Sequence, residues 1–325
     1  MILTVTPNPS IDRTVTLGAM LTRGAVQRVE TVTSEPGGKG VNVARALTHA
    51  GVDTVALLPA GEHDPIVTAL LSHHVPFLNV PVSGAVRTNL AITEPDGTTT
   101  KLNEPGTALD SAALDAFNRA VVEQAAGADW VVLSGSLPPG LPDTWYADMV
   151  ARLAPLPCRV AVDTSERPLS ALAEAFGRAA PDLIKPNAEE LAGLLQLSPQ
   201  DLEAAVAQGD PHPVVEGAQR LVAAGVRSVL VTLGAAGAIL VDADGSWLAA
   251  PPPITPRSTV GAGDSSLAGY LIADVRGAEP AQRLAMAVAY GSAAAALPGS
   301  QLPHPSQLDV GVIQPLAITP TTVIL

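Results

Sequence analysis

Trp130-Val131-Val132-Leu133, followed directly by Ser134-Gly135-Ser136-Leu137-Pro138-Pro139-Gly140, reads as a buried β-strand closed by a rigid polar turn. An unbroken apolar run with β-branched residues leaves no polar face, which suits a strand covered on both sides, as in a parallel sheet between helices. Outward from this stretch, runs of the same kind recur at residues 2–5, 54–58, 159–162, 183–185, 228–232 and 238–241. Amphipathic Ala/Leu-rich segments of helix length alternate with these runs through most of the chain. That alternation predicts an α/β fold, a mostly parallel sheet with helices on both faces. Two regions break the pattern. Residues 13–33 and 87–103 read as exposed strands of period two, and Asp96-Gly97 is a hairpin signal inside the second. The expected organisation is an α/β domain from residues 1–12, 34–86 and 104–325, with a small β-sheet lid from residues 13–33 and 87–103.

Composition narrows the function classes. The chain has 325 residues, 47% of them hydrophobic and 15% charged, and a mean hydropathy of +0.30. Its most apolar stretch, residues 284–297, is mostly alanine, is interrupted by Gly291 and Ser292, and is shorter than the roughly 20 residues a bilayer requires, so no membrane span is expected. The opening MILTVTPNPSID has neither a basic leader nor a long apolar run, which makes the cytoplasm the expected location. Cys158 is the only cysteine, excluding an internal disulfide and a thiolate cluster, and none of the six histidines has zinc-type spacing. A net charge of −13 argues against nucleic-acid binding, which needs a basic footprint. The same field repels dianions, so a phosphorylated small molecule must be held by a few local cations, amide dipoles and a metal.

The sharpest chemical signal is Thr259-Val260-Gly261-Ala262-Gly263-Asp264-Ser265 ahead of an apolar helical run. Gly261, Ala262 and Gly263 leave backbone N–H groups unobstructed at a helix start, an anion pocket suited to a phosphoryl group. Two readings of Asp264 stand side by side: it is the N-cap, or it takes the proton from an attacking hydroxyl while the amides hold the phosphate. Pro36-Gly37-Gly38-Lys39-Gly40-Val41-Asn42 also runs into a helix, yet fits neither a P-loop nor a dinucleotide fingerprint. It is either a tight turn with a solvated lysine, or a place where Lys39 supplies charge and Asn42 meets hydroxyls. Asn187 and Glu190 form a capping-box pattern, or else stand near a hydrated magnesium. Gly234, Gly237 and Gly291 are each routine packing, or together they let a flat nucleotide approach the backbone. Asp12 follows the first strand, where open α/β sheets place ligand groups.

Together, TPNPSID, PGGKGVNVARAL, RTNLAI, SGSLPPG, VDTS, KPNAEEL, VTLGAAGA, TVGAGDS and AYGSAAAALPG span nearly the whole chain. In this order and spacing they resemble the ribokinase-like (PfkB) carbohydrate kinase family, and within it the phosphofructokinase branch that also contains tagatose-6-phosphate kinase. The resemblance implies that Asp264 is the base and that the amides from Gly261 to Asp264 are the anion hole. It implies ATP at Lys185, Asn187, Thr232, Gly234, Gly237, Gly263, Gly291 and Ser292, and Mg2+ at Glu190 and Asn187 through water. Asp12, Gly38, Lys39, Asn42, Arg87 and Asn89 match acceptor-sugar positions, with Ser136 near the sugar's phosphate. Glu166 stands where relatives often have glycine, so Asp163 of VDTS matches the family less closely than the residues above and is given no role. Lys39 in place of a glycine tilts the reading toward 1-phosphofructokinase and tagatose-6-phosphate kinase. The implied activity is ATP-dependent phosphorylation of a ketohexose monophosphate, first of all fructose 1-phosphate to fructose 1,6-bisphosphate, by a homodimer paired through its lids. Tagatose 6-phosphate and fructose 6-phosphate are the alternative acceptors. A non-catalytic sugar- or nucleotide-binding regulator is the alternative of another class, and the intact Gly-Ala-Gly-Asp sequence favours the enzyme.

Overall fold

The computed structural model describes residues 1–319, so residues 320–325 of the expected α/β domain lie outside the described residues. In chain order the strands are β1 (Ile2–Val5), β2 (Ser10–Leu17), β3 (Val29–Gly37), β4 (Thr54–Pro59), β5 (Phe77–Val80), β6 (Arg87–Thr93) and β7 (Thr99–Asn103). They continue with β8 (Trp130–Ser134), β9 (Arg159–Asp163), β10 (Leu183–Ile184), β11 (Ser228–Thr232), β12 (Ala238–Asp242), β13 (Gly245–Ala249) and β14 (Leu316–Ala317). The helices are α1 (Lys39–His49), α2 (Pro65–Ser72), α3 (Ser111–Ala125), α4 (Trp145–Leu153) and α5 (Glu166–Glu174). After them come α6 (Ala188–Leu195), α7 (Pro199–Ala207), α8 (His212–Ala223), α9 (Ala262–Val275) and α10 (Pro280–Ala295).

All seven apolar runs lie in one ten-stranded sheet of order β14-β13-β12-β11-β10-β9-β8-β1-β4-β5. It is parallel from β5 to β11 and antiparallel from β11 to β14. Strand β8 shows why its sequence has no polar face. Trp130 and Val132 pack with Leu47, Tyr270 and Tyr290 from α1, α9 and α10. Val131 and Leu133 face the other way, onto Phe117, Tyr146 and Leu191 from α3, α4 and α6. The buried Trp130 indole donates to Asp274 (2.8 Å), which also pairs with Arg159 (2.6 Å) and Arg283 (3.1 Å) and so ties the last turn of α9 to the sheet.

The second sheet has the order β3-β2-β6-β7, with β2 and β6 parallel at its centre and antiparallel strands outside. Its β6–β7 hairpin turns at Gly97 (φ 89°), where the Asp96 carboxylate accepts from the Thr98 N–H at 2.9 Å. Strand β2 starts at Ser10, a few residues beyond β1, and β3 ends at Gly37, just before α1. The small sheet is therefore joined to the large one at the C-terminal ends of the parallel strands, where open α/β sheets carry their sites. Among the described residues no helix is long and apolar enough to cross a membrane.

Candidate active site

Helix α9 begins at Ala262 because Gly261 takes a left-handed conformation (φ 76°), which glycine adopts without strain. This makes Gly261 the N-cap and puts Asp264 at the third helical position, so the N-cap reading of Asp264 is corrected. The first intrahelical bond runs from the Ser265 N–H to the Gly261 carbonyl (2.8 Å), leaving the Gly263 and Asp264 amides ahead of the ladder. The Ala262 amide leans back to the Thr259 carbonyl at 3.4 Å. The Asp264 side chain is buried and accepts from Asn42 Nδ2 at 2.8 Å. Burial, and next the negative charge of Asp163, push its carboxyl up to about 6 against the pull of Lys39, Asn42 and Lys185. A carboxylate tuned into this range is suited to accept a proton near neutral pH.

Opposite Asp264 stands the start of α1. Gly38 (φ 100°) is its N-cap, and a Cβ there would come within 2.8 Å of the Thr6 methyl. Lys39 is not the isolated cation that an acidic sequence suggests, since its Nζ lies 2.8 Å from Asp163 Oδ1. Asp163, at the end of β9 with a fully buried side chain, also meets Lys185 Nζ through Oδ2 at 3.1 Å. Burial opposes the Asp163 charge, but Lys185 and Lys39 together hold its carboxyl below the ordinary carboxylate range. Lys185 in turn lies against Gly263, where a Cβ would approach its Nζ to 3.2 Å. Glu166 takes the left-handed conformation itself (φ 56°).

Asn187 and Glu190 form the reciprocal capping box. The Asn187 side chain accepts from the Glu190 N–H (2.8 Å), and Glu190 Oε2 accepts from the Asn187 N–H (2.9 Å). Burial raises the Glu190 carboxyl above its ordinary value, with Asp163 adding to burial and the lysines opposing it. Thr232, Gly234, Gly237, Gly291 and Ser292 share with Asn187, Glu190, Lys185, Lys39 and Gly261 to Asp264 the lining of one cleft of about 940 Å³. Two of these glycines also serve packing. A Cβ on Gly237 (φ 99°) would strike the Ala249 carbonyl, and one on Gly291 would strike the Ser266 hydroxyl. Ser292 Oγ donates to the Val288 carbonyl at 2.7 Å.

The remaining candidates sit at the junction of the two sheets, outside that lining. Asp12 on β2 is in register with Asn89 on β6, and Asn89 Nδ2 donates to Asp12 Oδ1 (2.9 Å) and Ser10 Oγ (3.0 Å). Ser10 Oγ donates to the same Asp12 oxygen at 2.8 Å. The Asp12 carboxylate covers Gly37, whose missing Cβ makes room for it beside the start of α1. Arg87 donates to the Glu104 carbonyl at 3.3 Å, while its Nε and the Asn89 Oδ1 are buried without partners. Burial lowers the Arg87 pKa against the attraction of Asp12. Asn42 Oδ1 is a third buried orphan, next to Asp264. Such atoms call for a polar ligand. Ser136 accepts from Asn8 Nδ2 (3.2 Å), which also donates to the Pro105 carbonyl (3.1 Å).

The sequence reading leaves Asn8 and Ser10 out of this constellation and notes Asp163 in VDTS without giving it a role. The signal for Asp163 was present as a lone carboxylate ending an apolar strand. The other two lie within the quoted TPNPSID segment.

A family model described as pfkB family carbohydrate kinase matches residues 6–307. A 1-phosphofructokinase of Rhodobacter capsulatus is 39% identical over 316 residues, covering 94% of both chains. The ATP-dependent 6-phosphofructokinase isozyme 2 of Escherichia coli K12 is 34% identical over 93% of this chain and 94% of the relative. Among solved structures, phosphofructokinase-2 from Escherichia coli in complex with substrates and products superposes with a TM-score of 0.85 at 31% identity, over 94% of this chain and 96% of the other.

Proposed function

The chain belongs to the pfkB family of carbohydrate kinases and is a sugar-phosphate kinase, and from that premise we propose that it transfers the terminal phosphoryl group of ATP to fructose 1-phosphate, forming fructose 1,6-bisphosphate and ADP. The observation that carries this reading is the Asp264 carboxylate, buried at the start of α9 in the same cleft as the glycines placed for a nucleotide. Asp264 accepts the proton of the acceptor's free primary hydroxyl as that oxygen bonds to the γ-phosphorus. The bond from phosphorus to the β,γ-bridging oxygen breaks, and ADP leaves with its electron pair. The Gly263 and Asp264 amides, with Lys39 and Lys185, meet the charge spread over the phosphoryl oxygens.

Asn187, Thr232, Gly234, Gly237, Gly291 and Ser292 line the nucleotide's place. Among the described residues no group of three or more His, Cys, Asp or Glu side chains forms a metal cage. Magnesium binds through few carboxylates plus water and phosphate oxygens, and Glu190 and Asn187 are its outer partners in this reading. When bound, the ion neutralises phosphate charge. Asp12, Asn89 and Arg87 receive the acceptor, Asp12 and Asn89 on its hydroxyls and Arg87 on its phosphate with Ser136 nearby. The small sheet acts as a lid and pairs two copies through exposed apolar side chains such as Val29, Val32 and Leu102.

Relatives named 1-phosphofructokinase at 39%, 35% and 33% identity support the choice of acceptor. The test is ADP release measured with fructose 1-phosphate, fructose 6-phosphate, tagatose 6-phosphate and fructose. The expected result is the highest kcat/KM with fructose 1-phosphate. A preference for either 6-phosphate would reassign the acceptor, and no turnover with any of them would turn the reading to a non-catalytic binder.

A further inference from the structure

We propose that Asp163 is a positioning residue of the phosphoryl-transfer site, a buried carboxylate that grips Lys39 from one side and Lys185 from the other and so fixes two ammonium groups beside Asp264. The inference rests on the kinase reading and adds to it a group with no place in the reaction so far.

Three elements converge on this carboxylate. Lys39 opens α1, Asp163 ends β9, and Lys185 follows β10. One oxygen faces each lysine, Oδ1 to Lys39 at 2.8 Å and Oδ2 to Lys185 at 3.1 Å, with no exposed Asp163 side-chain surface. Lysine is a point charge on a flexible four-carbon stem, and two ammonium groups at one cleft wall repel each other. A carboxylate shared between them removes the repulsion and orders both stems. Both lysines line the cleft wall together with the Asp264 and Glu190 carboxylates, so the ammonium groups that Asp163 holds offset the negative charge gathered there. Asp274, which pairs with Arg159 and Arg283, shows that two cationic partners by themselves make a structural tie; Asp163 differs in that both of its lysines line the cleft.

The arrangement has a second consequence. The groups facing Asp264 are Asp163 from β9, Lys39 and Asn42 from α1, and Lys185 after β10, and Asp163 is the one anion among them. Removing its charge deletes that one anion while both lysines, less closely held, and Asn42 still face Asp264, so the Asp264 carboxylate becomes easier to ionise and its titration moves to lower pH.

The experiment compares Asp163→Asn and Asp163→Glu with the wild type. It measures kcat, ATP affinity by calorimetry without acceptor, and the titration of Asp264 by carboxyl NMR in the free protein. Asp163→Asn is expected to lower kcat by ~10-fold or more, leave ATP affinity within a few-fold, and shift the Asp264 midpoint below that of the wild type. Asp163→Glu keeps the charge but displaces the lysines, so kcat falls while the midpoint stays near its place. Wild-type kcat in either folded variant, or an Asp264 midpoint that does not fall in Asp163→Asn, overturns the proposal. Should neither variant fold, Lys39→Met and Lys185→Met decide it: losses in kcat that overlap in the double variant support a pair acting as one unit, and additive losses contradict it. Full turnover in Asp264→Asn would instead remove the kinase reading itself, whatever Asp163 does.

Discussion

The cleft proposed for the nucleotide is lined by the helix start at Gly261 to Asp264, the turn from Thr232 to Gly237 and Gly291 within α10, with side chains such as Lys185, Glu190 and Ile254 beside them. The surface proposed for the acceptor lies outside that lining and is built of side chains, Asp12, Ser10, Asn89 and Arg87, hydrogen-bonded to one another or to neighbouring carbonyls across two strands of a separate small sheet. The first kind of surface recognises what every nucleotide shares, a flat base and charged phosphates, and is rigid because helices hold it. The second recognises the position of hydroxyls and a phosphate, and one side-chain change can alter it. Asp264 lines the first of these and accepts from Asn42, with the Lys39–Asp163–Lys185 group beside it, and the proposed reaction needs both ligands there at once.

That contrast predicts effects that differ in kind. The largest is expected at the junction, where Asp264→Asn should lower kcat by ~10²-fold or more with ATP affinity nearly unchanged. A variant with most of its turnover would break the division between binding sides and reacting centre. The same substitution should make the protein more stable. In the folded state the Asp264 carboxyl titrates at about 6, above its ordinary 3.8, so the proton stabilises the fold at low pH and that contribution is lost as pH rises through 6. Asparagine has no charge to bury, so Asp264→Asn should gain on the order of 3 kcal/mol above pH ~7, shrinking toward nothing below pH ~4. Urea denaturation at several pH values checks this, and a gain independent of pH would mean that the buried charge is not its cause.

Next in size is the acceptor side. Arg87→Ala and Asn89→Ala should each raise KM for the sugar phosphate by about tenfold, the loss of one charge-assisted or well-made hydrogen bond, while KM for ATP holds. Equal losses for both ligands would erase the distinction between the two surfaces. Smallest is Gly291→Ala on the nucleotide side. The added methyl crowds Ser266 at the cleft wall, so KM for ATP should rise by roughly 2–5-fold, with little change in stability because alanine's helix propensity offsets the crowding. An acceptor KM that rose instead would place Gly291 on the wrong side of the comparison.

How much of this was legible follows from the range of the interactions. The seven strands read as apolar runs lie in the sheet's interior or next to it, where both faces are covered. Strand β5 escaped notice because, as an edge strand, it includes Asn79 and the exposed Leu78, and β13 because Gly245-Ser246-Trp247-Leu248-Ala249 mixes small, polar and large residues. The capping box at Asn187 and Glu190 spans three residues, so its pattern could be read directly. Local sequence could not choose between the two readings of Asp264, because the choice depends on Gly261 adopting a positive φ one turn earlier. Asp163 was the hardest to see. Its partner Lys39 is 124 residues away, and a carboxylate ending a strand has no meaning until the fold places lysines around it. Gly237 and Gly291 were read as room for a ligand, and the structure adds Ala249 and Ser266 as neighbours that need the same room.

The most direct measurement is a structure of the protein with a non-hydrolysable ATP analogue and fructose 1-phosphate bound together. The account predicts an Asp264 oxygen about 2.6–3.2 Å from the sugar's free primary hydroxyl, with that hydroxyl in line with the terminal phosphorus. A hydroxyl directed to any other base, or an Asp264 carboxylate still bonded only to Asn42 with both ligands in place, would contradict it.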